Sequence, residues 1–467
     1  MTTTIDALTG FKGISCDSRT VERGEIFAAV PGVNVAGAKF ARAAVERGAA
    51  AIAAPCEDAE EIEAMKLGVP VFAVAERGNF RKWLGEAASR IYGEPSRKMA
   101  VWGITGTNGK TTTTWILREF LGAEKCGMVT TVESFTGARM FASEHTTPDA
   151  ITLQKLFKEM VGAGMRNAVM EVSSHAADMQ RTAGTLFAGA AFTNLTEDHL
   201  DYHKTMENYF NAKAAWIRRV GEEKPGAPVA ILPHVPGGRE MLAVARDAGM
   251  EILDVAAGDF EGFVRKTSAL AGEYNVQNVM LAAALARAAG VDEDAIRATV
   301  PRLRPRWGRL EKVCTKSRAE VFVDFAHTPD AIGNVLGTVK KFAKGRVIAV
   351  FGAGGDRDRM KRAPMGGAAA KFADVAIVTS DNPRSEDPAE IISQIVAGMP
   401  QRGERIVEID RRKAIFTALD IAKEGDVVVI CGKGHETTQE IAGVLHPFDD
   451  RIVAREWQNE NGSCKLY

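Results

Sequence analysis

One run of residues sets the expected fold, Gly103-Ile-Thr-Gly-Thr-Asn-Gly-Lys-Thr111. The apolar run 99–102 before it predicts a buried strand, and residues 112–121 after it predict a helix. A glycine-rich turn at this place lets backbone N–H groups approach phosphates, and the helix N-terminus adds a positive partial charge. Lys110 would then reach the β- and γ-phosphates, and Thr111 would ligate Mg²⁺. The run therefore predicts a nucleotide-binding α/β unit.

The spacing of this loop departs from the strict Walker A motif. Five residues, rather than four, separate Gly103 from Gly109. A chance glycine-rich turn is the alternative, but the strand before the loop and the helix after it favour a phosphate loop.

Composition and length limit the class of protein. A chain of 467 residues suggests about three domains, and a net charge of -1 indicates no overall attraction to nucleic acid or to an anionic membrane. The six cysteines include no C-x-x-C pair, which is typical of reduced thiols in a cytosolic protein rather than of a zinc site or a disulfide framework. We find neither a signal peptide in residues 1–10 nor an apolar run of membrane-spanning length.

Strands and helices alternate along the chain, so the fold class is α/β. We expect a small α/β domain over residues 1–97, a central P-loop ATPase-like domain with a parallel sheet over 98–303 and a Rossmann-like domain over 304–467. The segments 92–97 and 302–308 would be hinges. The predicted strands are 25–30, 71–74, 99–102, 167–172, 190–193, 347–351, 374–379 and 426–430, and a helix is predicted at 38–47. Polar loops follow the last three strands, at the strand ends where doubly wound sheets bind ligands.

Several polar residues sit where chemistry would need them. Glu171 ends a strongly apolar strand, which favours a Mg²⁺ ligand near the phosphates over a core glutamate paired with an arginine. His199 follows another strand, and a surface histidine is the alternative there. Lys213 lies in a helical stretch and on pattern alone would be a solvated lysine.

Eight motifs follow one another along nearly the whole chain: Gly103-Ile-Thr-Gly-Thr-Asn-Gly-Lys-Thr-Thr112, Glu171-Val-Ser-Ser-His175, Asp198-His-Leu-Asp-Tyr-His203, Tyr274-Asn-Val-Gln-Asn278, Gly308-Arg-Leu-Glu311, Val323-Asp-Phe-Ala-His-Thr-Pro-Asp330, Asp381-Asn-Pro-Arg384 and Gly432-Lys-Gly-His-Glu436. This ordered set resembles the Mur ligase family, the ATP-dependent amide ligases of peptidoglycan synthesis. Within that family it is similar to the type that adds the third amino acid to UDP-N-acetylmuramoyl-L-alanyl-D-glutamate. The family's own phosphate loop explains the departure from Walker A spacing.

The resemblance implies roles for individual residues. The catalytic set would be Lys110, Glu171, His199 and Lys213, with Lys213 carbamylated and with Mg²⁺ positioned by Thr111, Glu171 and His199. ATP would bind Gly106, Thr107, Asn108, Gly109, Lys110, Thr111, Thr112, Asn275, Asn278, Arg309 and Asp324. The UDP-muramoyl dipeptide would contact Ser18, Thr146, Thr147, Ser173 and Arg181. The incoming amino acid would contact Arg357, Asp381, Asn382, Pro383, Arg384, Gly432 and Glu436.

The charged residues among the predicted contacts of the incoming amino acid indicate which amino acid is added. Arg384 would bind a carboxylate and repel the ammonium end of lysine, while Glu436 could bind an ammonium group. This suits meso-diaminopimelate, which is zwitterionic at both ends. The alternative is that Arg384 is a structural loop arginine paired with Asp381 or Glu386.

Other functions remain open at this point. One alternative is a P-loop GTPase or kinase. A GTPase would need an Asn-Lys-x-Asp motif to bind the base, and the chain has none. A non-catalytic relative should lack one of the four catalytic residues, and all four are present. Within the family, a lysine-adding ligase and a folylpolyglutamate-type ligase are the nearest alternatives. One departure from the family pattern concerns the dipeptide site, where Met179 stands in the place of a usual glutamine and Gln180 is shifted by one residue. We expect a cytoplasmic monomer that is not inserted in a membrane.

Overall fold

The computed structural model describes residues 5–8, 10–32, 36–313, 317–400 and 403–460. Within these ranges the chain builds three separate sheets of largely parallel strands and one two-stranded hairpin. Helices alternate with the strands, which confirms the predicted α/β class. No helix in the described ranges combines the length and the apolar composition needed to cross a membrane. Cys314 and Cys464 lie outside these ranges, and the other four cysteines are free thiols.

The first sheet has four parallel strands in chain order. The predicted helix 38–47 is a 3₁₀ turn at Gly37–Phe40 followed by an α-helix. In chain order, the elements are β1 (Gly13–Ser15), β2 (Glu25–Ala28), α1 (Ala41–Arg47), β3 (Ala51–Pro55), α2 (Cys56–Ala64), β4 (Val71–Ala75) and α3 (Phe80–Ile91). Strands β2 and β4 lie where the sequence predicts them, whereas β1 and β3 were not predicted.

The central sheet has eight strands, of which six are parallel and the last two form an antiparallel edge. Its strands are β5 (Ala100–Thr105), β6 (Cys126–Val129), β7 (Glu133–Phe135), β8 (Met140–Ala142), β9 (Asn167–Glu171), β10 (Phe187–Phe192), β11 (Pro228–Ile231) and β12 (Glu251–Ile252). Its helices are α4 (Lys110–Phe120), α5 (Ala150–Gly162), α6 (Ser174–Asp178), α7 (Leu200–His203), α8 (Met206–Glu223), α9 (Gly238–Asp247), α10 (Phe260–Thr267), α11 (Glu273–Ala288) and α12 (Glu293–Thr299).

Strand β5 lies between β9 and β10 in the central sheet. Its side chains Val101, Trp102 and Ile104 are buried, because helices cover both faces of the sheet. The carboxyl ends of parallel strands lie at one edge, so the loops that follow β5, β9 and β10 meet there. This edge carries the phosphate loop.

The C-terminal sheet has six strands, in which β18 is inserted between β14 and β15. Its strands are β13 (Glu311–Val313), β14 (Glu320–Asp324), β15 (Val347–Phe351), β16 (Val375–Val378), β17 (Glu404–Val407) and β18 (Val427–Cys431), with only β13 antiparallel. The helices are α13 (Pro329–Phe342), α14 (Arg362–Phe372), α15 (Pro388–Ala397), α16 (Arg411–Ile421) and α17 (Asp450–Glu460). A hairpin of β19 (Thr438–Ile441) and β20 (Val444–Pro447) follows β18.

Side chains of β15 alternate between two apolar clusters, one on each face of the C-terminal sheet. Val347 and Ala349 belong to one cluster, and Ile348 and Val350 to the other. This is the period of two that a strand imposes, and it explains why the strand is apolar throughout.

A fully buried ion pair ties two loops of this sheet together. Arg411 donates from Nε and NH2 to the two carboxylate oxygens of Asp450 at 2.8 and 2.7 Å. The same guanidinium donates to the carbonyl oxygens of Ser380, after β16, and Cys431, at the end of β18. The loops that leave these two strands are therefore fixed relative to each other.

We predict that Asp450→Asn destabilises the C-terminal sheet by about 3 kcal/mol, because it leaves the Arg411 guanidinium buried without its countercharge. Glu320→Gln is the control, since the ion pair of Glu320 with Lys312 is half-exposed and should contribute less than about 1 kcal/mol. Denaturant unfolding of both variants measures the difference. Equal, small effects would show that the buried pair does not hold the sheet.

Candidate active site

The phosphate loop joins β5 to α4 with two glycines in a left-handed conformation. Gly106 has φ +139° and Gly109 has φ +88°. A Cβ on Gly106 would lie 1.9 Å from Thr193 Oγ1, and one on Gly109 would lie 2.5 Å from Asn278 Oδ1. Helix α4 begins at Lys110, so its unpaired N–H groups point to this turn. Both glycines are therefore required by the close packing of this turn against Thr193 and Asn278, at the N-terminus of α4.

Two lysines share one backbone acceptor in this loop. The carbonyl oxygen of Gly106 accepts hydrogen bonds from Lys110 Nζ at 3.0 Å and from Lys213 Nζ at 2.8 Å. Lys110 also donates to the carbonyl of Thr107 at 2.8 Å. Burial lowers the pKa of both lysines, and the neighbouring Lys110 charge lowers the pKa of Lys213 further. Lys213 is only 1% exposed, so it is not the solvated lysine that its pattern alone indicated.

Glu171, at the end of β9, is bound to the phosphate loop and is also buried. Its Oε1 accepts hydrogen bonds from Thr111 Oγ1 at 2.8 Å and from the backbone N–H of Thr131 at 2.9 Å. Thr131 Oγ1 donates to the second oxygen at 3.2 Å. No arginine forms a salt bridge with Glu171 in the described ranges, which removes the core ion-pair alternative. Thr131 was missed by the sequence analysis because it stands outside every motif.

His199 follows β10 in a left-handed conformation, with φ +58°. Burial lowers the pKa of His199 to about 3, against the opposing effect of Asp198, whose Oδ2 is 3.5 Å from Nε2. The imidazole is therefore neutral at pH 7 and has a free lone pair for a ligand. Its ring lies edge-on to that of His175, with centroids 4.9 Å apart. Over the described residues His199 makes no hydrogen bond to Thr111 or Glu171.

The donors at this edge fit Mg²⁺ by their chemistry. Mg²⁺ takes oxygen ligands, with few from the protein and the rest from phosphates and water. Thr111 and Glu171 offer such oxygens 2.8 Å apart, beside the loop for the phosphates. Among the residues that the structure describes, no three His, Cys, Asp or Glu side chains are grouped to hold a metal by themselves. Any ion here would therefore depend on substrate oxygens as well.

A cavity of about 250 Å³ lies beside the phosphate loop, between the central and C-terminal sheets. The predicted ATP contacts Asn108, Gly109, Thr112, Asn275, Asn278, Arg309 and Asp324 all line it. His234 and Pro236 also line it and stand outside every motif, while Tyr274 and Phe325 lie in quoted motifs but were given no role. Residues beside both sheets thus contribute to the wall of one cavity.

Arg309 joins the C-terminal sheet to this cavity. Its guanidinium lies over the Phe325 ring, 4.6 Å from the centroid, and NH2 donates to Thr111 Oγ1 at 3.2 Å. Its Nε is buried and without a partner in the described part of the chain. Asp324 accepts backbone N–H bonds from Leu310 and Ala326 at 2.6 and 2.7 Å. Burial raises the pKa of Asp324 to about 6, although Arg309 opposes the shift.

Two asparagines of α11 form the opposite wall. Asn278 accepts from Thr113 Oγ1 at 3.1 Å and donates to Asn275 Oδ1 at 3.2 Å. Asn275 donates in turn to the carbonyl of Ala271 at 2.7 Å. The helix is therefore anchored directly to α4.

Three hydrogen bonds hold the C-terminal sheet against the phosphate-loop edge. Lys361 Nζ donates to Asp198 Oδ1 at 3.2 Å, and both side chains are buried. Burial raises the pKa of Asp198, but Lys361 and the nearby His199 and His327 outweigh it and lower that pKa overall. Asn108, in the phosphate loop, donates to the carboxylate of Asp330, in α13, at 3.1 Å. The third contact is the bond from Arg309 to Thr111.

The residues predicted for the amino acid gather at the carboxyl edge of the C-terminal sheet. Arg384 NH1 donates to the carbonyl of Gly355 at 2.7 Å, and Nε lies 3.2 Å from Glu440 Oε2. Its ion partner is thus neither Asp381 nor Glu386, the alternatives from the sequence. Glu386 instead binds Arg362 at 2.9 Å.

Other members of this group complete the same surface. A Cβ built on Gly354 would lie 3.0 Å from Arg384 NH1 and 3.7 Å from Arg357 Cγ, so the two arginines approach each other there. Gly432 has φ +116°, and a Cβ on it would lie 2.3 Å from Asp381 Oδ2. Pro383 follows Asn382, whose amide donates to Glu436 Oε2 at 2.8 Å.

The residues predicted for the dipeptide form a chain beside Glu171. Thr147 Oγ1 donates to the Glu171 carbonyl at 2.9 Å and accepts from the Ser173 N–H at 3.1 Å. Arg181 NH1 donates to the Thr147 carbonyl at 3.0 Å. Thr146 Oγ1 accepts from Thr131 at 3.1 Å.

A second cavity of about 250 Å³ lies beyond Arg181, between the first and central sheets. Arg181, Met179 and Gln180 line it, and Arg181 NH2 contacts Met179 Sδ at 3.4 Å. Cys16 is a lining residue from the first sheet. Ser18, two residues further on, is half-buried in a turn and is not among the residues that line it.

Family models match three consecutive parts of the chain. They are the Mur ligase family catalytic domain at residues 10–92, the Mur ligase middle domain at 104–286 and the Mur ligase glutamate ligase domain at 308–434. The chain belongs to the Mur ligase family. It is an ATP-dependent ligase of peptidoglycan-precursor synthesis.

Individual relatives cover almost the whole chain. The UDP-N-acetylmuramoyl-L-alanyl-D-glutamate–2,6-diaminopimelate ligases of Aquifex aeolicus and Gloeobacter violaceus are 40% and 42% identical to it, each over 95% of this chain and 93% of their own length. A solved structure of a ligase with that name is 32% identical, with a TM-score of 0.63, and the match covers 97% of this chain and 95% of the other.

We predict that Gly109→Ala weakens ADP binding at least about tenfold, because the new Cβ would strain a left-handed residue and collide with Asn278. The matched control is Gly249→Ala. Gly249 also has a positive φ, +70°, but nothing lies within 4 Å of its Cβ position. Titration calorimetry with ADP compares the two variants. Equal losses of affinity in the two variants would mean that strain at any such glycine weakens ADP binding, and that Gly109 has no specific role in it.

Proposed function

We propose that this ligase joins meso-diaminopimelate to the D-glutamate carboxylate of UDP-N-acetylmuramoyl-L-alanyl-D-glutamate in the cytoplasm, with Mg²⁺ and ATP. The observation that carries this proposal is the Arg384 guanidinium held at the carboxyl edge of the C-terminal sheet. The diaminopimelate ligases that match over most of their length support the choice of both substrates. We also propose the domain boundaries 1–97, 98–303 and 304–467, and a monomer that binds no nucleic acid.

The first step would activate the D-glutamate carboxylate. One carboxylate oxygen attacks the γ-phosphorus of ATP, a new P–O bond forms, and the bond to the β-phosphate oxygen breaks to release ADP. Lys110 and the N-terminus of α4 would neutralise the charge that spreads over the γ-phosphate oxygens. The product is an acyl phosphate, whose carbonyl is a far better electrophile than a carboxylate.

The second step would form the amide. The uncharged amine of the incoming amino acid attacks the acyl carbonyl, an N–C bond forms, and the C–O bond to phosphate breaks. The amine gives up one proton, and inorganic phosphate leaves. Water would compete for the same carbonyl, so the contact of Lys361 with Asp198 and of Asn108 with Asp330 supports a role for the C-terminal sheet in excluding it.

Thr111, Glu171 and His199 would hold Mg²⁺ together with the ATP oxygens. When bound, the ion would offset the negative charge of the phosphates during transfer. The Thr111 and Glu171 oxygens suit this role by type, and the neutral imidazole of His199 keeps a lone pair available. Removal of the ion with a chelator would therefore stop turnover.

Lys213 would be carbamylated. Carbamylation needs an uncharged amine, and the burial that lowers the pKa of Lys213 favours that form. The amine nitrogen would bond to the carbon of carbon dioxide, one C–O π bond would open, and the nitrogen would lose one proton. The product is a carbamate, whose negative carboxylate group would lie beside the Lys110 ammonium group. It would also add an acidic oxygen donor close to the phosphates.

The substrates would approach this centre from two sides. Thr146, Thr147, Ser173 and Arg181 would contact the dipeptide part of the muramoyl substrate, beside Glu171. Ser18 would contact the uridine end. Arg384 and Arg357 would bind carboxylates of diaminopimelate, and Asp381, Asn382, Pro383, Gly432 and Glu436 would complete the pocket around its ammonium groups.

Phosphate release tests the proposed function directly. We expect the purified chain, given Mg-ATP and the UDP-muramoyl dipeptide, to release phosphate with meso-diaminopimelate and not with L-lysine or L-ornithine. Release with lysine alone would overturn the choice of amino acid, and a folylpolyglutamate-type activity would appear only with a folate substrate. No release with any of the three amino acids would overturn the proposal.

We predict that Arg384→Ala raises the KM for diaminopimelate about tenfold or more, which corresponds to about 1.4 kcal/mol of lost binding. Removal of the guanidinium takes away the group that would bind a substrate carboxylate. Arg405→Ala is the matched control, because Arg405 is exposed on the edge strand β17. Steady-state kinetics at saturating ATP measures both, and an unchanged KM in Arg384→Ala would contradict the assignment.

A further inference from the structure

The loop after β18 contains a lysine that is completely buried, Lys433. Its Nζ donates to Asn382 Oδ1 at 3.1 Å and to Glu436 Oε2 at 2.8 Å. A buried ammonium group needs partners of this kind, since an unpaired charge in the interior is costly. Both partners belong to the pocket proposed for the amino acid, whereas Lys433 itself has no exposed surface with which to touch a substrate.

Lys433, Asn382 and Glu436 form a closed ring of hydrogen bonds. Asn382 Nδ2 donates to Glu436 Oε2 at 2.8 Å, and Asn382 Oδ1 also accepts from the Glu440 N–H at 3.0 Å. Glu436 Oε2 is therefore bound twice. Within the described ranges, Oε1 of the same carboxylate accepts no hydrogen bond, and the Glu436 side chain is 33% exposed.

The backbone around Lys433 leaves little freedom to move. Gly432 and Gly434, on either side, have φ of +116° and +55°. A Cβ on Gly434 would lie 2.6 Å from Phe325 Cβ, and one on Gly432 would lie 2.3 Å from Asp381 Oδ2. Phe325 and Asp381 thus enclose this loop on its two sides. The ammonium group of Lys433 therefore stays between Asn382 and Glu436.

We propose that Lys433 is a positioning residue of the amino-acid pocket. It fixes one oxygen of Glu436 so that the other, Oε1, faces the ammonium group of the incoming amino acid, and it fixes the orientation of the Asn382 amide. This inference rests on the proposed function, because it takes Glu436 as a contact of the amino acid. A carboxylate held in place loses less conformational freedom when it binds an ammonium group than one that can rotate.

Lys433→Met tests the inference, since methionine has a similar length but no charge and no donor. We expect the KM for diaminopimelate to rise about tenfold, while the KM values for ATP and for the UDP-muramoyl dipeptide stay within about twofold. Lys413→Met is the matched control, because the Lys413 side chain is 71% exposed on α16. It should leave all three KM values unchanged.

A cycle with Glu436→Gln separates positioning from general stability. If Lys433 acts through Glu436, the double variant Lys433→Met/Glu436→Gln should have the same KM for the amino acid as Glu436→Gln alone. The double variant leaves no buried charge unpaired, so it also supplies the answer if Lys433→Met alone does not fold. A further rise of KM in the double variant would overturn the inference.

Two further results of these experiments would overturn different conclusions. An unchanged KM for the amino acid in folded Lys433→Met, or an equal rise for all three substrates, would overturn the role of Lys433 and leave the proposed function intact. Absence of phosphate release by the unmodified chain with every amino acid would instead overturn the proposed function, and this inference with it.

Discussion

Two lysines, the buried Lys213 and the half-buried Lys110, donate to one carbonyl oxygen, that of Gly106, and set the chemistry of this protein. Burial lowers the pKa of both, and the positive charge of Lys110 further disfavours a charge on Lys213. Such a site is stabilised by an anion, and the open glycine turn and the N-terminus of α4 offer further donors to the same anion. The Glu171 carboxylate, bound to Thr111, supplies the opposite charge that a cation at the phosphates would require. A bound nucleotide and metal would therefore each meet groups of opposite charge at this site.

The central and C-terminal sheets share this site, which is why the chain needs both. Strand order in the central sheet brings the loops after β5, β9 and β10 to one edge. In the C-terminal sheet, the insertion of β18 between β14 and β15 brings Asp324, at the end of β14, near the loop after β18 that carries Glu436. Contacts such as Lys361 to Asp198 then bring the two edges together over one cavity. A reactive acyl phosphate formed there would be separated from bulk water by the C-terminal sheet.

Much of this arrangement follows from the sequence. The apolar strands before polar loops are easily predicted because they are buried on both faces. Of the phosphate-loop residues, Asn108, Gly109 and Thr112 line the cavity, whereas Gly106, Thr107, Lys110 and Thr111 are not among its lining residues. Short strands such as β1 and the hairpin strands β7 and β8 were not predicted, because three residues carry too little pattern. Thr131, Lys361 and Arg411 were also missed. Their roles depend on which loops the topology brings together, and no local spacing reports that.

The central step of the proposed reaction is the transfer of the γ-phosphate of ATP to a carboxylate before the amide forms. A muramoyl dipeptide labelled with ¹⁸O in both oxygens of the D-glutamate carboxylate tests this most directly. Carboxylate attack on phosphorus places one labelled oxygen in the acyl phosphate bridge, and amine attack then releases it with phosphate. Mass spectrometry should therefore find one ¹⁸O in each inorganic phosphate released and one in the new amide. Inorganic phosphate that contains no ¹⁸O would contradict this order of steps.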